Sequence, residues 1–131
     1  RELFQAAQKR AVEYAHEKGI FAHLHSCGYI MELLPDILDT KIDILNPIEI
    51  KAGMDVIKLK KEYGDRLTLH GGINSLLWDK EDEVIAEIER CLPVLKENGG
   101  YIFASDHSIP SNISLDNMKA IVDKIKSIGR Y

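Results

Sequence analysis

The sequence predicts an α/β fold in which four parallel strands alternate with helices. Short apolar segments typical of buried strands lie at residues 20–25, 42–46, 67–70 and 101–104. A helical pattern precedes the first of these segments, and another follows each of the four. This alternation implies four βα units with a parallel sheet covered by helices. An open flavodoxin-like sheet and half of a (β/α)8 barrel both fit it, since a complete barrel needs about 250 residues.

The predicted helices are bounded by residues that start or stop helices. They span 2–18, about 29–38, 53–63, 80–98, and Ser114 to about 128. In the first helix, apolar residues such as Phe4 and Tyr14 recur at three- and four-residue spacing, and Gly19 supplies the stop. Pro35 predicts a kink or a break in the second helix. Ser114 is the cap candidate of the last helix.

The composition is that of one ordinary globular domain spanning residues 1–131. Hydrophobic residues make up 45% of the chain and charged residues 29%, with a net charge of −4. The densest basic cluster, Lys58, Lys60 and Lys61, is followed at once by acidic residues, so we expect no nucleic-acid binding. No apolar stretch approaches the roughly 20 residues of a membrane span, so we expect no membrane insertion.

The two cysteines, Cys27 and Cys91, lie in different kinds of segment. A disulfide scaffold is therefore not expected, and a reducing cytoplasm is the predicted compartment. Cys91 lies on the apolar stripe of the fourth helix, which predicts a core position. The chain opens on Arg1 with the pattern of a helix interior, which predicts a piece of a longer protein.

Polar residues collect where the predicted strands end. Such residues are His23, His25, Cys27, Asn46, Glu49, His70, Gly71, Gly72, Asn74, Ser105, Asp106 and His107. Four of the five histidines belong to this set, and the fifth, His16, lies on the first helix, where we expect it at the surface. Active sites of parallel α/β folds lie at the carboxyl ends of the strands, so the set predicts one site at one edge of the sheet.

The segment His25-Ser26-Cys27 has the residue types and spacing of a metal-ligand pair. In an extended chain, residues i and i+2 point to one face, and Zn²⁺ favours imidazole and thiolate ligands. A catalytic zinc needs a third protein ligand, for which His107 is the first candidate, Asp106 the second and His23 the third. The alternative is that His25 and Cys27 are a packed pair at a turn.

The other strand-end residues each have two interpretations. Glu49 is either a functional carboxylate or a capping group in a loop. His70 either faces a ligand or is a hydrogen-bonded strand-end histidine. Gly71-Gly72 either lets a backbone approach an anion or substrate, or forms only a turn.

Four motifs in order resemble the uroporphyrinogen decarboxylase superfamily. They are HSCG at 25–28, NPIEIKAGMD at 46–55, YGDRLTLHGGIN at 63–74 and GGYIFASDHSIP at 99–110. The resemblance covers nearly the whole chain and implies the C-terminal half of a (β/α)8 TIM barrel. It implies one of two chemistries: cofactor-free decarboxylation of uroporphyrinogen, or zinc-dependent methyl transfer from a methyl-corrinoid protein to a thiol.

The motifs combine features of both branches. The methyltransferases take two zinc ligands from HxCG and a third from a cysteine near the last strand, where this chain has His107. The decarboxylases carry a histidine there and lack the HxCG pair. The HxCG pair favours methyl transfer, with zinc held by His25, Cys27 and His107.

The resemblance implies further roles around that metal. Glu49, His70 and Asp106 are the expected catalytic or substrate-orienting residues, and Gly71, Gly72 and Asn74 the expected cofactor-binding ones. The alternatives are porphyrinogen decarboxylation without a metal, or a non-catalytic fragment. Such a fragment would self-associate or assemble with a missing N-terminal half, because four βα units leave two open sheet edges.

Overall fold

A four-stranded parallel sheet organises the chain. The computed structural model describes residues 4–130. The strands are β1 (His23–His25), β2 (Ile44–Asn46), β3 (Thr68–His70) and β4 (Tyr101–Ile102). The helices are α1 (Gln5–Glu17), α2 (Leu34–Asp39), α3 (Val56–Tyr63), α4 (Glu81–Leu95) and α5 (Leu115–Ile128). Strand order follows chain order and every pair is parallel, so the predicted α/β fold of four βα units is confirmed.

The two faces of the sheet differ in burial. Leu45 and Leu69 are 0% exposed and join the core formed with the helices. Alternate strand residues point to the opposite face, where Ile44 and Thr68 are half-buried and Ile102 is exposed. This pattern is that of consecutive barrel units, in which helices cover the outer face and the inner face is concave.

The first strand is shorter than predicted. Residues 20–25 were expected to be extended and buried, but β1 begins at His23, and Ile20 and Phe21 are 60% and 78% exposed. The register explains the difference, because His23 pairs with Ile44, the first residue of β2. Ala22 still contacts the neighbouring segment, since its carbonyl oxygen accepts from Asp43 N and Ile44 N, whereas the N–H of Ile20 donates back to Ala15 O at the end of α1.

Helix α1 is less buried than its pattern suggested. Its predicted start at residue 2 lies outside the described residues. Phe4 and Tyr14 are 73% and 63% exposed, while Val12 is the buried residue of α1. His16 is exposed as expected, and its Nε2 lies 2.8 Å from Asp43 Oδ2.

Helix boundaries follow the local chemistry. Pro35 occupies the first turn of α2 after a 3₁₀ turn at Met31–Leu33, so the predicted break is observed where a missing N–H costs no hydrogen bond. The Asp55 side chain caps α3 by accepting from Lys58 N at 3.0 Å. Ser114 Oγ caps α5 by accepting from Asn117 N at 3.0 Å. Within residues 4–130, none of the helices has the length and apolar character needed to cross a membrane.

Candidate functional site

A polar row crosses the carboxyl ends of β1, β2 and β3. His25 and Asn46 are register partners in the β1–β2 pair. His25 Nδ1 lies 2.8 Å from Asn46 Oδ1, and Asn46 Nδ2 donates to His70 O at 3.1 Å. Neighbouring strands lie about 4.8 Å apart, which lets one amide side chain bridge two strand ends. The row therefore fixes His25 relative to two other strands.

Cys27 lies against the free side of the His25 ring. Its Sγ is 3.3 Å from His25 Nε2, and both side chains are exposed. A tetrahedral zinc ion with ordinary bond lengths would place a nitrogen and a sulfur ligand about 3.6 Å apart. The donor atoms, their separation and their exposure therefore fit two ligands of one zinc ion. The alternative of a packed core pair does not describe this arrangement, because neither side chain is buried.

Glu49 ties the turn after β1 to the loop after β2. Its Oε2 accepts from Gly28 N at 2.5 Å, and its Oε1 lies 3.3 Å from Lys51 Nζ. The Gly28 hydrogen bond, followed by the Lys51 and His107 charges, lowers the pKa of Glu49 despite the opposing effect of burial. The carboxylate is thus ionised beside the Cys27 turn.

His70 faces a second histidine of β1. The His23 and His70 ring centroids lie 5.3 Å apart with an interplanar angle of 37°. Burial, with the charge of His23 as the second cause, lowers the pKa of His70. His70 Nδ1 is buried without a hydrogen-bond partner, so the ring is held by packing.

Asp106 is a buried anchor for two loops. It is 0% exposed. Its Oδ2 accepts from Ile50 N at 2.9 Å and Lys51 N at 3.4 Å, and its Oδ1 accepts from Ser75 N at 2.7 Å. Both oxygens therefore bind backbone of the loops that follow β2 and β3. This geometry suits a positioning role better than contact with a substrate.

The predicted glycine turn is closely packed. Gly71 (φ 106°) donates to Ile102 O at 3.1 Å and accepts from Tyr101 Oη at 2.8 Å. A Cβ on Gly72 (φ 81°) would lie 2.6 Å from a Val56 methyl carbon. The positive φ of Gly71 and the Val56 contact at Gly72 favour glycine at these positions without any ligand, and the expected ligand contact stays a prediction.

Asn74 lies in the loop between β3 and α4. Its side chain accepts from Leu76 N at 3.0 Å, and its N–H donates to Glu87 Oε1 at 3.3 Å. Glu87 is 8% exposed, and burial raises the pKa of its carboxyl group. The expected role of Asn74 in binding a cofactor also stays a prediction.

His107, the predicted third ligand, is exposed in the loop between β4 and α5. Its charge is the smallest of the effects that lower the pKa of Glu49. Across residues 4–130, no group of three or more His, Cys, Asp or Glu side chains is placed to hold one metal ion. Within residues 4–130 only His25 and Cys27 of the three predicted ligands are shown in contact, and zinc binding by all three stays a prediction.

Asn46 was counted among the strand-end residues, but no specific role in the site was assigned to it from the sequence. Asparagine at a strand end before proline has an ordinary interpretation as a turn residue. The signal that could have found it is register, since β1 and β2 end at equivalent positions and so place His25 beside Asn46. Cys91, predicted to be a core residue, is 0% exposed.

Comparison with known proteins identifies the family. The family model "Uroporphyrinogen decarboxylase (URO-D)" matches residues 1–128. Uroporphyrinogen decarboxylase from Pelodictyon phaeoclathratiforme is 29% identical over 98 residues, 72% of this chain and 27% of the relative. The same enzyme from Chloroherpeton thalassium is 27% identical over 104 residues, 76% of this chain and 29% of the relative.

A solved structure extends the comparison to the fold. A methyltransferase from Methanosarcina mazei superposes with a TM-score of 0.73 at 25% identity, covering 97% of this chain and 36% of that one. The chain thus spans between about a quarter and just over a third of the length of these proteins. The chain belongs to the uroporphyrinogen decarboxylase family, and its four βα units match part of a TIM barrel.

Proposed function

We propose that the chain is part of an enzyme that holds zinc and transfers a methyl group from a methyl-corrinoid partner protein to a thiol. The observation that carries the proposal is the His25–Cys27 pair, with Nε2 and Sγ 3.3 Å apart at the carboxyl end of the sheet. The likeness to a methyltransferase supports the same branch of the family. In the expected reducing cytoplasm, the exposed Cys27 thiol would stay reduced and so could bind a metal together with His25.

In this proposal His25 and Cys27 hold the ion together with His107. The bound ion would lower the pKa of the acceptor thiol, so that a thiolate exists at neutral pH. The zinc ion would supply an activated thiolate as the methyl acceptor, and the corrinoid partner would supply the methyl group and retain the electron pair of the cobalt–carbon bond. The small-molecule thiol and the corrinoid protein are the proposed partners.

The surrounding residues would orient the substrate and position the loops around it. We assign Glu49 and His70 to orienting the substrate, since both lie beside the ligand pair. Asp106 positions the two loops that bring Glu49 and Asn74 to the site. Gly71 and Gly72 shape the floor between these loops, because any side chain there would collide with neighbouring backbone or with a valine side chain.

Zinc binding by the purified chain tests the proposal. We expect about one zinc per chain by elemental analysis after dialysis. Loss of a direct ligand in His25→Ala or Cys27→Ser should weaken zinc by more than the roughly 10- to 100-fold typical of supporting residues. His16→Gln and Cys91→Ala are the matched controls, since both lie outside the site. A wild-type chain without zinc affinity, or an unaffected Cys27→Ser, would refute the proposal.

A decarboxylase of the uroporphyrinogen type is the second candidate, because the curated relatives carry that name. His107 would then contact a porphyrinogen, and Cys27 would be incidental. This function predicts porphyrinogen binding in the presence of a metal chelator and no effect of Cys27→Ser on that binding. A porphyrinogen titration beside the zinc measurement separates the two functions.

A non-catalytic fragment that pairs with other chains is the third candidate. β1 and β4 are the edges of the sheet formed by residues 4–130. Unpaired edges favour strand addition. We expect association with the N-terminal remainder of a barrel or with a second copy, measured by light scattering. A monomer that persists at all concentrations would contradict it.

A further inference from the structure

We infer that Asn46 is a positioning residue that selects the His25 tautomer carrying hydrogen on Nδ1, which leaves the Nε2 lone pair for the metal. The inference rests on the proposed zinc site and adds the residue that orients its imidazole ligand. Asn46 lies on β2, whereas both ligands of the pair belong to β1 and the turn after it. A residue of β2 therefore orients a proposed metal ligand of β1.

The orientation of the Asn46 amide follows from its second partner. Its nitrogen side lies 3.1 Å from His70 O. A carbonyl oxygen can only accept a hydrogen bond, so the group facing it must be the NH₂. The opposite atom, Oδ1, is then the one that faces His25. The His70 carbonyl thus fixes an amide whose two ends would otherwise be interchangeable.

The orientation of the amide in turn fixes the imidazole. Asn46 Oδ1 lies 2.8 Å from His25 Nδ1 and has no hydrogen to donate. Nδ1 must therefore carry the hydrogen, and in the neutral ring Nε2 carries the lone pair. Nε2 is the atom that lies 3.3 Å from Cys27 Sγ. The nitrogen able to bind a metal is thus directed at the second ligand.

The tautomer of His25 depends on the acceptor of Asn46, and the orientation of the Asn46 amide depends on its donor. Aspartate would accept from His25 Nδ1 but could not donate to the His70 carbonyl. Leucine has a similar size and can do neither. A histidine ligand usually donates its other N–H to an oxygen that fixes its tautomer and orientation. Free imidazole favours the opposite tautomer, with hydrogen on Nε2, so removal of Oδ1 should release His25 to it.

The test combines ¹⁵N chemical shifts of His25 with zinc titration. In the metal-free wild-type chain, recorded at alkaline pH where the imidazole is neutral, we expect the Nδ1–H pattern. Asn46→Leu should shift His25 toward the Nε2–H pattern and weaken zinc about 10- to 100-fold. Asn46→Asp should keep the Nδ1–H pattern and most of the affinity. Asn112→Leu is the control, since that exposed amide contacts Asp79 away from the site.

The outcomes separate the inference from the proposed function. A wild-type chain that binds no zinc refutes the proposed function, whatever the tautomer. A wild-type chain that binds zinc with His25 in the Nε2–H form refutes the role of Asn46, even if the Asn46→Leu chain fails to fold. Equal zinc affinity and an unchanged tautomer in a folded Asn46→Leu chain refute it as well. The conservative Asp variant excludes a purely steric effect if it retains both readouts.

Discussion

Removal of the Asp106 carboxylate should destabilise the chain more than removal of any exposed acidic side chain. The carboxylate is 0% exposed and accepts three backbone hydrogen bonds from two loops. In Asp106→Ala, the N–H groups of Ile50 and Ser75 lose an acceptor at 2.9 and 2.7 Å. The Lys51 bond is longer, at 3.4 Å, and belongs to an exposed residue that water can reach, so it contributes less.

The two short bonds set the magnitude. A hydrogen bond to a charged group contributes about 1.5–3 kcal/mol, so their loss should cost on the order of 3–6 kcal/mol. Domains are stable by about 5–15 kcal/mol in total, so Asp106→Ala should leave the chain marginally folded. Asp106→Asn keeps one carbonyl oxygen but turns an NH₂ toward a donor, and should cost about 1.5–3 kcal/mol, the value of one such bond. The exposed control Asp65→Asn should stay within about 0.5 kcal/mol of wild type.

Urea unfolding followed by fluorescence measures these differences. Trp78 is the single tryptophan of the chain and is 4% exposed, so its emission should report loss of the core. Equal unfolding free energies for wild type, Asp106→Asn and Asp106→Ala would refute the positioning role. Loss of activity with unchanged stability would instead indicate direct contact between Asp106 and the substrate.

Three further predictions follow from packing and burial. Gly72→Ala should destabilise by about 1–3 kcal/mol more than Gly99→Ala in urea unfolding, because both have positive φ but only the first Cβ would collide with a neighbour. Equal losses would contradict the steric argument. Glu87 has a raised pKa, so its contribution to stability is present below its unfolded pKa and is lost as pH rises through the folded one. Glu87→Gln should therefore be more stable than wild type at pH near 7, and a less stable variant there would argue against this sign. His70 has a lowered pKa, so its contribution is present above its unfolded pKa and is lost as pH falls through the folded one. As pH falls, the unfolding free energy of His70→Gln should decrease less than that of wild type. An identical decrease in both chains would contradict the contribution of His70.

Much of the candidate site could be predicted because its residues lie at the ends of the strands or directly after them in the chain. Each apolar segment ended in polar residues, and parallel strands bring such ends to one edge. His25 and Cys27 were singled out by spacing, and their facing side chains agree with that choice. His107 was singled out as the histidine at the end of the fourth strand, and its distance from the pair depends on loop conformation, which no periodic pattern encodes.

The sequence alone determined the βα alternation, because periods of 2 and 3.6 residues are local properties of the chain. It also determined the Ser114 cap of α5, which acts on a residue three positions away. Only the tertiary structure decided the register, and with it the placement of Asn46 between His25 and His70. It likewise decided that Asp106 is an internal anchor, since its partners lie 31 to 56 residues away. Such contacts depend on how strands pair and loops meet, which is a long-range consequence of burying one shared core.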